Sequence, residues 1–322
     1  MKIKKIAVLD GYTTVLNNLN WDSLNQFGDV VAYDRTPKEK IIERAIDAQA
    51  VLTNKVPFFK EQIEQLSNLK YIGVLATGYN NVDLDFARER GIVVTNIPAY
   101  GTDSVAQTAF AHILNIANSV ELHSQAVHNG EWTKSPDPCL CLTPIVELSG
   151  KTLGIIGYGA IGKKIAVLAK SFGMNVVAYS PSRIVGTSDE ISDFKSVDDI
   201  FKCSDILSLN CPLNSSTDKI INNDTINLMK NGVWIINTGR GGLIDELALA
   251  EALKSGKVGA AGVDVLSAEP PSVENPLLNA PNCHITSHNA WMSKEARQRL
   301  INIAVENLKA FIDDKPINVV NK

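Results

Sequence analysis

Apolar residues along this chain fall into short unbroken runs rather than strict alternation. In the first third the runs are residues 6–9, 30–33, 51–53, 72–75 and 92–95. Stretches with helical period, such as 38–47 and 59–66, separate them. A second series begins at Thr152, with runs at 153–156, 176–179, 206–209, 233–237, 262–265 and 284–287. Non-alternating strands divided by helices predict parallel sheets covered on both faces. Two series predict an α/β protein with two doubly wound domains. Two long helical patterns, 103–120 and 293–313, read as the crossings between them. The first domain is then discontinuous, formed by 1–101 and 292–322, and the second spans 102–291. The segment 129–143, rich in Pro and Cys, has no clear period and reads as an arm.

At 322 residues the chain exceeds one ordinary core, which agrees with two domains. A net charge of −4 leaves no broad basic surface for nucleic acid, so a small anionic ligand needs a local cationic pocket. The five cysteines, Cys139, Cys141, Cys203, Cys211 and Cys283, lack metal-ligand spacing and read as reduced thiols of a cytoplasmic protein with no metal site. The first apolar run stops at Asp10, too short for a signal sequence, and reads as a strand. No stretch has the length and apolarity of a membrane span.

Gly157-Tyr158-Gly159-Ala160-Ile161-Gly162 matches G-x-G-x-x-G. The match gains weight from its context: a strand precedes it, a helical pattern at 163–171 follows, and the run 176–179 completes a βαβ unit. Gly157 permits the tight turn, Gly159 admits a pyrophosphate close to the backbone, and Gly162 lets helix and strand pack. The helix N-terminus offers N–H groups and positive potential to a diphosphate. An acid is expected after the next strand to hold ribose hydroxyls. Ser180 stands there instead, followed by Ser182 and Arg183, and no Asp or Glu occurs between Leu148 and Ser188. Two hydroxyls and a guanidinium suit a 2′-phosphate, so NADP(H) is favoured within an NAD(P) site. The competing reading of Arg183 is a solvated turn residue.

Three further residues follow strands of the same series. Arg240 sits among glycines in Gly239-Arg240-Gly241-Gly242, where it could grip a carboxylate by paired hydrogen bonds. Asp264 lies within a predicted strand, and Glu269 lies in the loop after it. His288 follows the last strand of the series. Singly, each reads as a surface or structural residue. Together they sit beyond the carboxyl ends of parallel strands, where open α/β sheets bind ligands. Reduction of a ketone by hydride needs a proton for the developing alkoxide, which His288 can donate. Glu269 against the other ring nitrogen would fix the tautomer and favour imidazolium. Arg240 would hold the substrate carboxylate and polarise the carbonyl.

With these motifs in this order, the chain resembles the D-isomer-specific 2-hydroxyacid dehydrogenase family over nearly its whole length. The resemblance rests on 153–162, on 229–245 with its Asn237-Thr238-Gly239-Arg240-Gly241 core, on Asp264 to Glu269-Pro270, and on Ser287-His288. It implies a Rossmann coenzyme domain, a flavodoxin-like substrate domain, and a homodimer joined through the coenzyme domains, with 103–120 and the arm as candidate contacts. It places Arg240, Glu269 and His288 at the catalytic positions, with Arg240 and His288 also touching the small 2-keto or 2-hydroxy acid. Backbone N–H groups of Thr77 and Gly78 would meet its carboxylate. Thr108, Ala160, Ile161, Ser180, Cys211, Pro212, Thr217, Thr238, Gly239 and Asp264 fall at cofactor-contact positions. Ala106-Gln107 departs from the Glu-His common in the family. The stretches 53–57 and 100–107 are most similar to the hydroxypyruvate reductase (glycerate dehydrogenase) branch, which also reduces glyoxylate. Other substrates stay open, a 2-ketogluconate- or D-lactate-type acid, as does a nucleotide-sensing binding role like that of the related corepressors.

Overall fold

A computed structural model describes residues 3–16 and 18–322. The chain divides into two compact units, one from the N-terminus to Gly101 together with Trp291–Lys322, the other Thr102–Ala290.

The first unit holds five parallel strands: β1 (Lys5–Val8), β2 (Asp29–Ala32), β3 (Ala50–Thr53), β4 (Tyr71–Val74) and β5 (Val93–Thr95), in the order β2-β1-β3-β4-β5. β3 and β4 are buried at every position, which is why their sequence is continuously apolar rather than alternating. The edge at β5 is closed by the chain's last residues. Val320 N–H donates to Val94 O at 2.9 Å, and Asn321 bonds Val94 N and Ile92 O through its amide. The apolar run 317–320 thus covers an edge that would otherwise present unpaired backbone. The helix Lys294–Ile312 starts at a Ser293 cap, whose side chain accepts from Ala296 N.

The second unit holds β6 (Thr152–Ile156), β7 (Asn175–Tyr179), β8 (Asp193–Phe194), β9 (Ile206–Leu209), β10 (Val233–Asn237), β11 (Val258–Val263) and β12 (Cys283–Ile285). Their order is β12-β11-β10-β9-β6-β7-β8, all parallel. From β6 the chain builds first toward β7 and then, through β9, the opposite way. The gap beyond the ends of β6 and β9 is therefore the switch point where such sheets bind ligands.

Several elements differ from expectation. The helical pattern 38–47 is a 3-10 turn, Lys38–Lys40, running into the short helix Ile41–Ala45, and 59–66 contracts to Lys60–Ile63. The long helix ends at Asn118; Ser119 turns into the left-handed region, and a second helix, Val120–His128, follows. Strand β11 begins at Val258 rather than 262 and ends at Val263, so Asp264 lies just past the strand and not within it. The early half, Gly259-Ala260-Ala261, is too small to stand out as a strand in an apolar profile. Among the described residues no helix is long and apolar enough to cross a membrane, and no His/Cys/Asp/Glu group is arranged to hold a metal.

Candidate active site

The glycine turn after β6 is built for a phosphate. Gly157 has φ +100, and a Cβ there would lie 2.5 Å from the backbone of Asn210 and Cys211 beyond β9. Only glycine fits. A Cβ on Gly162 would meet Gly157 O at 2.2 Å, so the helix Ala160–Ser171 packs directly on the turn. Gly159 differs. Nothing lies within 4 Å of the Cβ it lacks, and the helix it precedes has no side-chain cap and no acid in its first turn. The helix thus begins with uncapped N–H groups and positive potential beside the open space at Gly159. This cradle fits a dinucleotide diphosphate.

The turn after β7 is tied by Arg183 N–H to Ser180 O at 3.0 Å, and the Ser180 and Ser182 hydroxyls lie 3.0 Å apart. The Arg183 guanidinium rests over the Phe194 ring, 5.1 Å from its centre. Asp189 is nearby. Its carboxyl sits below the ordinary value although burial opposes this, because the N–H groups of Ile191 and Ser192, the Tyr158 hydroxyl and the Arg183 charge together outweigh it. The corner is therefore not purely cationic.

Around the switch point the other residues take different parts. Cys211 is half-buried, and burial pushes its thiol up. The Thr217 hydroxyl is used within its own loop, donating to Pro212 O at 2.7 Å and accepting from Asn214 N. Thr238 Oγ1 is buried and has no hydrogen-bond partner, an orphan polar atom at the end of β10 of the kind a bound ligand satisfies. Thr108 Oγ1 donates to Ser104 O within its helix, and Ser104 in turn donates to Ala290 O.

The chemistry-bearing residues follow three adjacent strands. After β10 the buried Asn237 folds its own loop: its amide donates to Arg240 O at 2.9 Å and accepts from Gly239 N at 3.0 Å. That brings Gly241 against the backbone of Leu266, leaving no room for a Cβ, and leaves Arg240 exposed with one guanidinium N–H on Gly239 O. After β11, Glu269 lies in an extended loop. After β12, His288 adopts φ +53, a conformation uncommon without glycine. His288 Nδ1 and Glu269 Oε2 are 2.6 Å apart, with the two side chains 28% and 33% exposed. Among the described residues, no hydrogen-bond partner meets the ring's Nε2.

The strained turn at His288 is held by Asp264, which is 1% exposed. Its carbonyl accepts from His288 N at 2.7 Å, and its carboxylate accepts from the Thr286 hydroxyl at 2.6 Å and from Asn289 N and Ala290 N at 3.0 Å. Because the Thr286 hydroxyl donates to Asp264, it accepts from His112 Nε2, 3.1 Å away. Burial holds the His112 ring below its ordinary pKa, and the Asp264 charge only partly offsets this. Neither Thr286 nor His112 was anticipated from sequence, since a hydroxyl and a helical histidine carry no motif. Glu246 was also missed. Its carboxylate accepts from Ser267 N, Ser267 Oγ and Asn275 Nδ2 in the loop that carries Glu269.

In the first unit, Thr77 and Gly78 follow β4. The Thr77 hydroxyl donates to Ile97 O and its carbonyl accepts from Asn96 Nδ2, which fixes the loop through everything but its N–H groups. The neighbouring loop after β3 is fixed by Asp10, whose carboxylate accepts from the backbone N–H groups of Asn54, Lys55 and Val56.

A parallel sheet with a phosphate cradle at its switch point, and a histidine–carboxylate pair beyond the same edge, defines a nicotinamide-dependent oxidoreductase. Comparison with known proteins narrows the class. Residues 110–290 match the family model for the NAD-binding domain of D-isomer-specific 2-hydroxyacid dehydrogenases. The chain is 47% identical over 321 residues to the hydroxypyruvate reductase of Blautia hydrogenotrophica, covering 99% of this chain and 100% of that protein. It is 41% identical to the glycerate dehydrogenase of Methylorubrum extorquens, over 88% of this chain and 89% of that one. Among solved structures it superposes on an acyclic imino acid reductase in complex with NADPH and D-arginine, with TM-score 0.85, 30% identity, and coverage of 98% and 99% of the two chains. The chain belongs to the D-isomer-specific 2-hydroxyacid dehydrogenase family and is an NAD(P)-dependent enzyme of that activity.

Proposed function

We propose that the chain interconverts hydroxypyruvate and D-glycerate, and reduces glyoxylate to glycolate, through Arg240, Glu269 and His288. The observation that carries this is the 2.6 Å Glu269–His288 hydrogen bond beside the exposed Arg240 loop. The substrate assignment is supported by a whole-length relative that carries the name hydroxypyruvate reductase. Glu269 on Nδ1 orients the ring and leaves Nε2 to donate a proton to the oxygen that develops negative charge. Arg240 has further N–H groups for the substrate carboxylate and the adjacent carbonyl. Thr77 and Gly78 offer backbone N–H groups to the carboxylate. The bound nicotinamide supplies the hydride; oxidation of the hydroxy acid runs the same proton transfer in reverse.

The diphosphate is assigned to Gly157, Gly159, Ala160, Ile161 and Gly162, with Cys211, Pro212, Thr217, Thr238, Gly239, Asp264 and Thr108 around the rest of the cofactor. Thr217 and Asp264 act from positions where their side chains already serve the fold. Ser180, Ser182 and Arg183 are assigned to a 2′-phosphate, which favours NADPH. The Asp189 charge tempers the preference. We expect kcat/KM for hydroxypyruvate reduction to be higher with NADPH by up to ~10-fold, since a charge-assisted bond is worth roughly 1.5–3 kcal/mol before that offset. Arg183→Ala should erase the difference. A wild-type preference for NADH, or a variant with the preference intact, would remove Arg183 from the phosphate site. A homodimer completes the reading, built on the second unit.

A further inference from the structure

We propose that Glu246 is a positioning residue for the reaction, acting through Glu269. The proposal rests on the reading of Glu269 and His288 as the working pair.

Glu246 opens the helix Glu246–Ser255, twenty-three residues before Glu269. An acid at that place ordinarily complements the helix dipole and points to solvent. Here the carboxylate reaches across to the loop that leaves β11. Oε1 accepts from Ser267 N at 2.7 Å, and Oε2 accepts from Ser267 Oγ at 2.7 Å and from Asn275 Nδ2 at 2.9 Å. These three bonds clamp both ends of the segment 267–275, and Glu269 lies inside it.

Residues 267–274 are exposed, so apolar packing does not set their path. Within the segment, Glu269 Oε1 accepts from Leu266 N at 3.2 Å, and Oε2 takes His288 Nδ1 at 2.6 Å. Leu266 and Ser267 are consecutive. The backbone N–H that orients Glu269 is therefore next to the one that Glu246 anchors. A shift of Ser267 moves the Leu266 N–H, and with it the carboxylate that aims His288.

The donors leave no freedom to replace the acid by its amide. Asn275 Oδ1 accepts from Leu277 N at 3.0 Å, where it caps the 3-10 turn Pro276–Asn279. That fixes its NH2 toward Glu246. Glutamine at 246 can keep the Ser267 N–H on its carbonyl, but its own NH2 then faces the Asn275 NH2, donor against donor. The variant loses one bond and strains another while keeping shape and volume.

The test is a double-mutant cycle on hydroxypyruvate reduction: wild type, Glu246→Gln, Glu269→Gln, and both together. A positioning role predicts that Glu246→Gln lowers kcat about 10-fold, in keeping with the cost of sub-ångström misplacement, while the KM for the nicotinamide stays within about 2-fold. Glu269→Gln should cost about 100-fold. In the Glu269→Gln background the further loss on adding Glu246→Gln should shrink below about 2-fold, because there is no carboxylate left to aim. A merely structural Glu246 would cost the same factor in both backgrounds. Ser267→Ala, which removes one of the three bonds with no donor clash, should give a smaller kcat loss of the same kind and guards against a Glu246 variant that folds badly. Equal losses in the two backgrounds, or wild-type kcat in both Glu246→Gln and Ser267→Ala, overturn the proposal. Wild-type kcat in Glu269→Gln overturns the underlying pair, and the proposal with it.

Discussion

Two glycines five positions apart separate cofactor binding from folding at the level of single residues. Gly154 lies inside β6, and a Cβ there would sit 2.0 Å from Ser204 Oγ and 2.7 Å from Ile200 Cγ2. Gly159 has empty space where its Cβ would be. Gly154→Ala should therefore lower stability by about 1–3 kcal/mol, read as a fall in Tm, through overpacking. Gly159→Ala should cost less than about 1 kcal/mol in Tm terms, the loss of a tolerable N-cap. Yet it should raise the nicotinamide KM about 10-fold or more, because the methyl fills the phosphate cradle. A Gly159→Ala enzyme with unchanged cofactor KM would show that no phosphate approaches that backbone. The placement of Arg240, Glu269 and His288 beyond three adjacent strands was legible in the sequence because each follows an apolar run of the same parallel series. The carboxylate of Glu246 was not, because an acid in a first helical turn looks like a dipole partner. Its true contacts lie 21 and 29 residues away and depend on how the loop after β11 returns. Asp264 was legible as a residue, but its part was not: its oxygens serve the backbone of the His288 turn as well as anything beyond it.

At the scale of elements, the helix Thr102–Asn118 lies wholly within the second unit, where the sequence reading had it crossing between domains. His112 on that helix packs against Gly262 of β11, where a Cβ would come within 2.6 Å of the histidine. It reaches Thr286 beyond β12, and one turn later Asn115 meets His284 Nδ1 at 3.1 Å. Both histidines have pKa values below the ordinary 6.5, chiefly because burial penalises the charged ring. For His112 the Asp264 charge pulls upward and the His284 charge downward. A histidine with a depressed folded value is protonated more readily when unfolded. Its contribution to stability is thus intact above about pH 6.5 and lost as the pH falls below it. We expect the Tm of the wild type to decline between about pH 7 and 5.5 more steeply than that of His112→Gln, which keeps the donor to Thr286 without a titrating ring. Parallel declines would mean that His112 does not couple to folding. The helix itself was plain from its Ala-rich period. Its end at Asn118 was not, because the left-handed Ser119 belongs to no motif and the helix Val120–His128 carries the apolar period on up to the arm.

For the whole molecule, the alternation of strand and helix was enough to read two parallel sheets, because buried parallel strands leave no polar face to confuse the pattern. The strand order was not, since crossovers leave no trace in local composition. The proposed dimer draws on the same unit as the cofactor cradle. Val120 and Ile145 are 69% and 59% exposed, and Trp132 in the arm is 48% exposed; these are the apolar side chains that the proposed interface would cover. Sedimentation at micromolar concentration should give a dimer, and a monomer there would leave this surface unexplained. The central claim is that the molecule reduces a 2-keto acid to the D-hydroxy acid with His288 as the proton donor. The direct measurement is pre-steady-state reduction of hydroxypyruvate by wild type and His288→Ala, with chiral analysis of the glycerate formed. The account predicts D-glycerate from the wild type, and a variant that binds the reduced nicotinamide normally but turns over ~10²–10⁴-fold more slowly. L-glycerate from the wild type, or a His288→Ala enzyme of near wild-type rate, would contradict it.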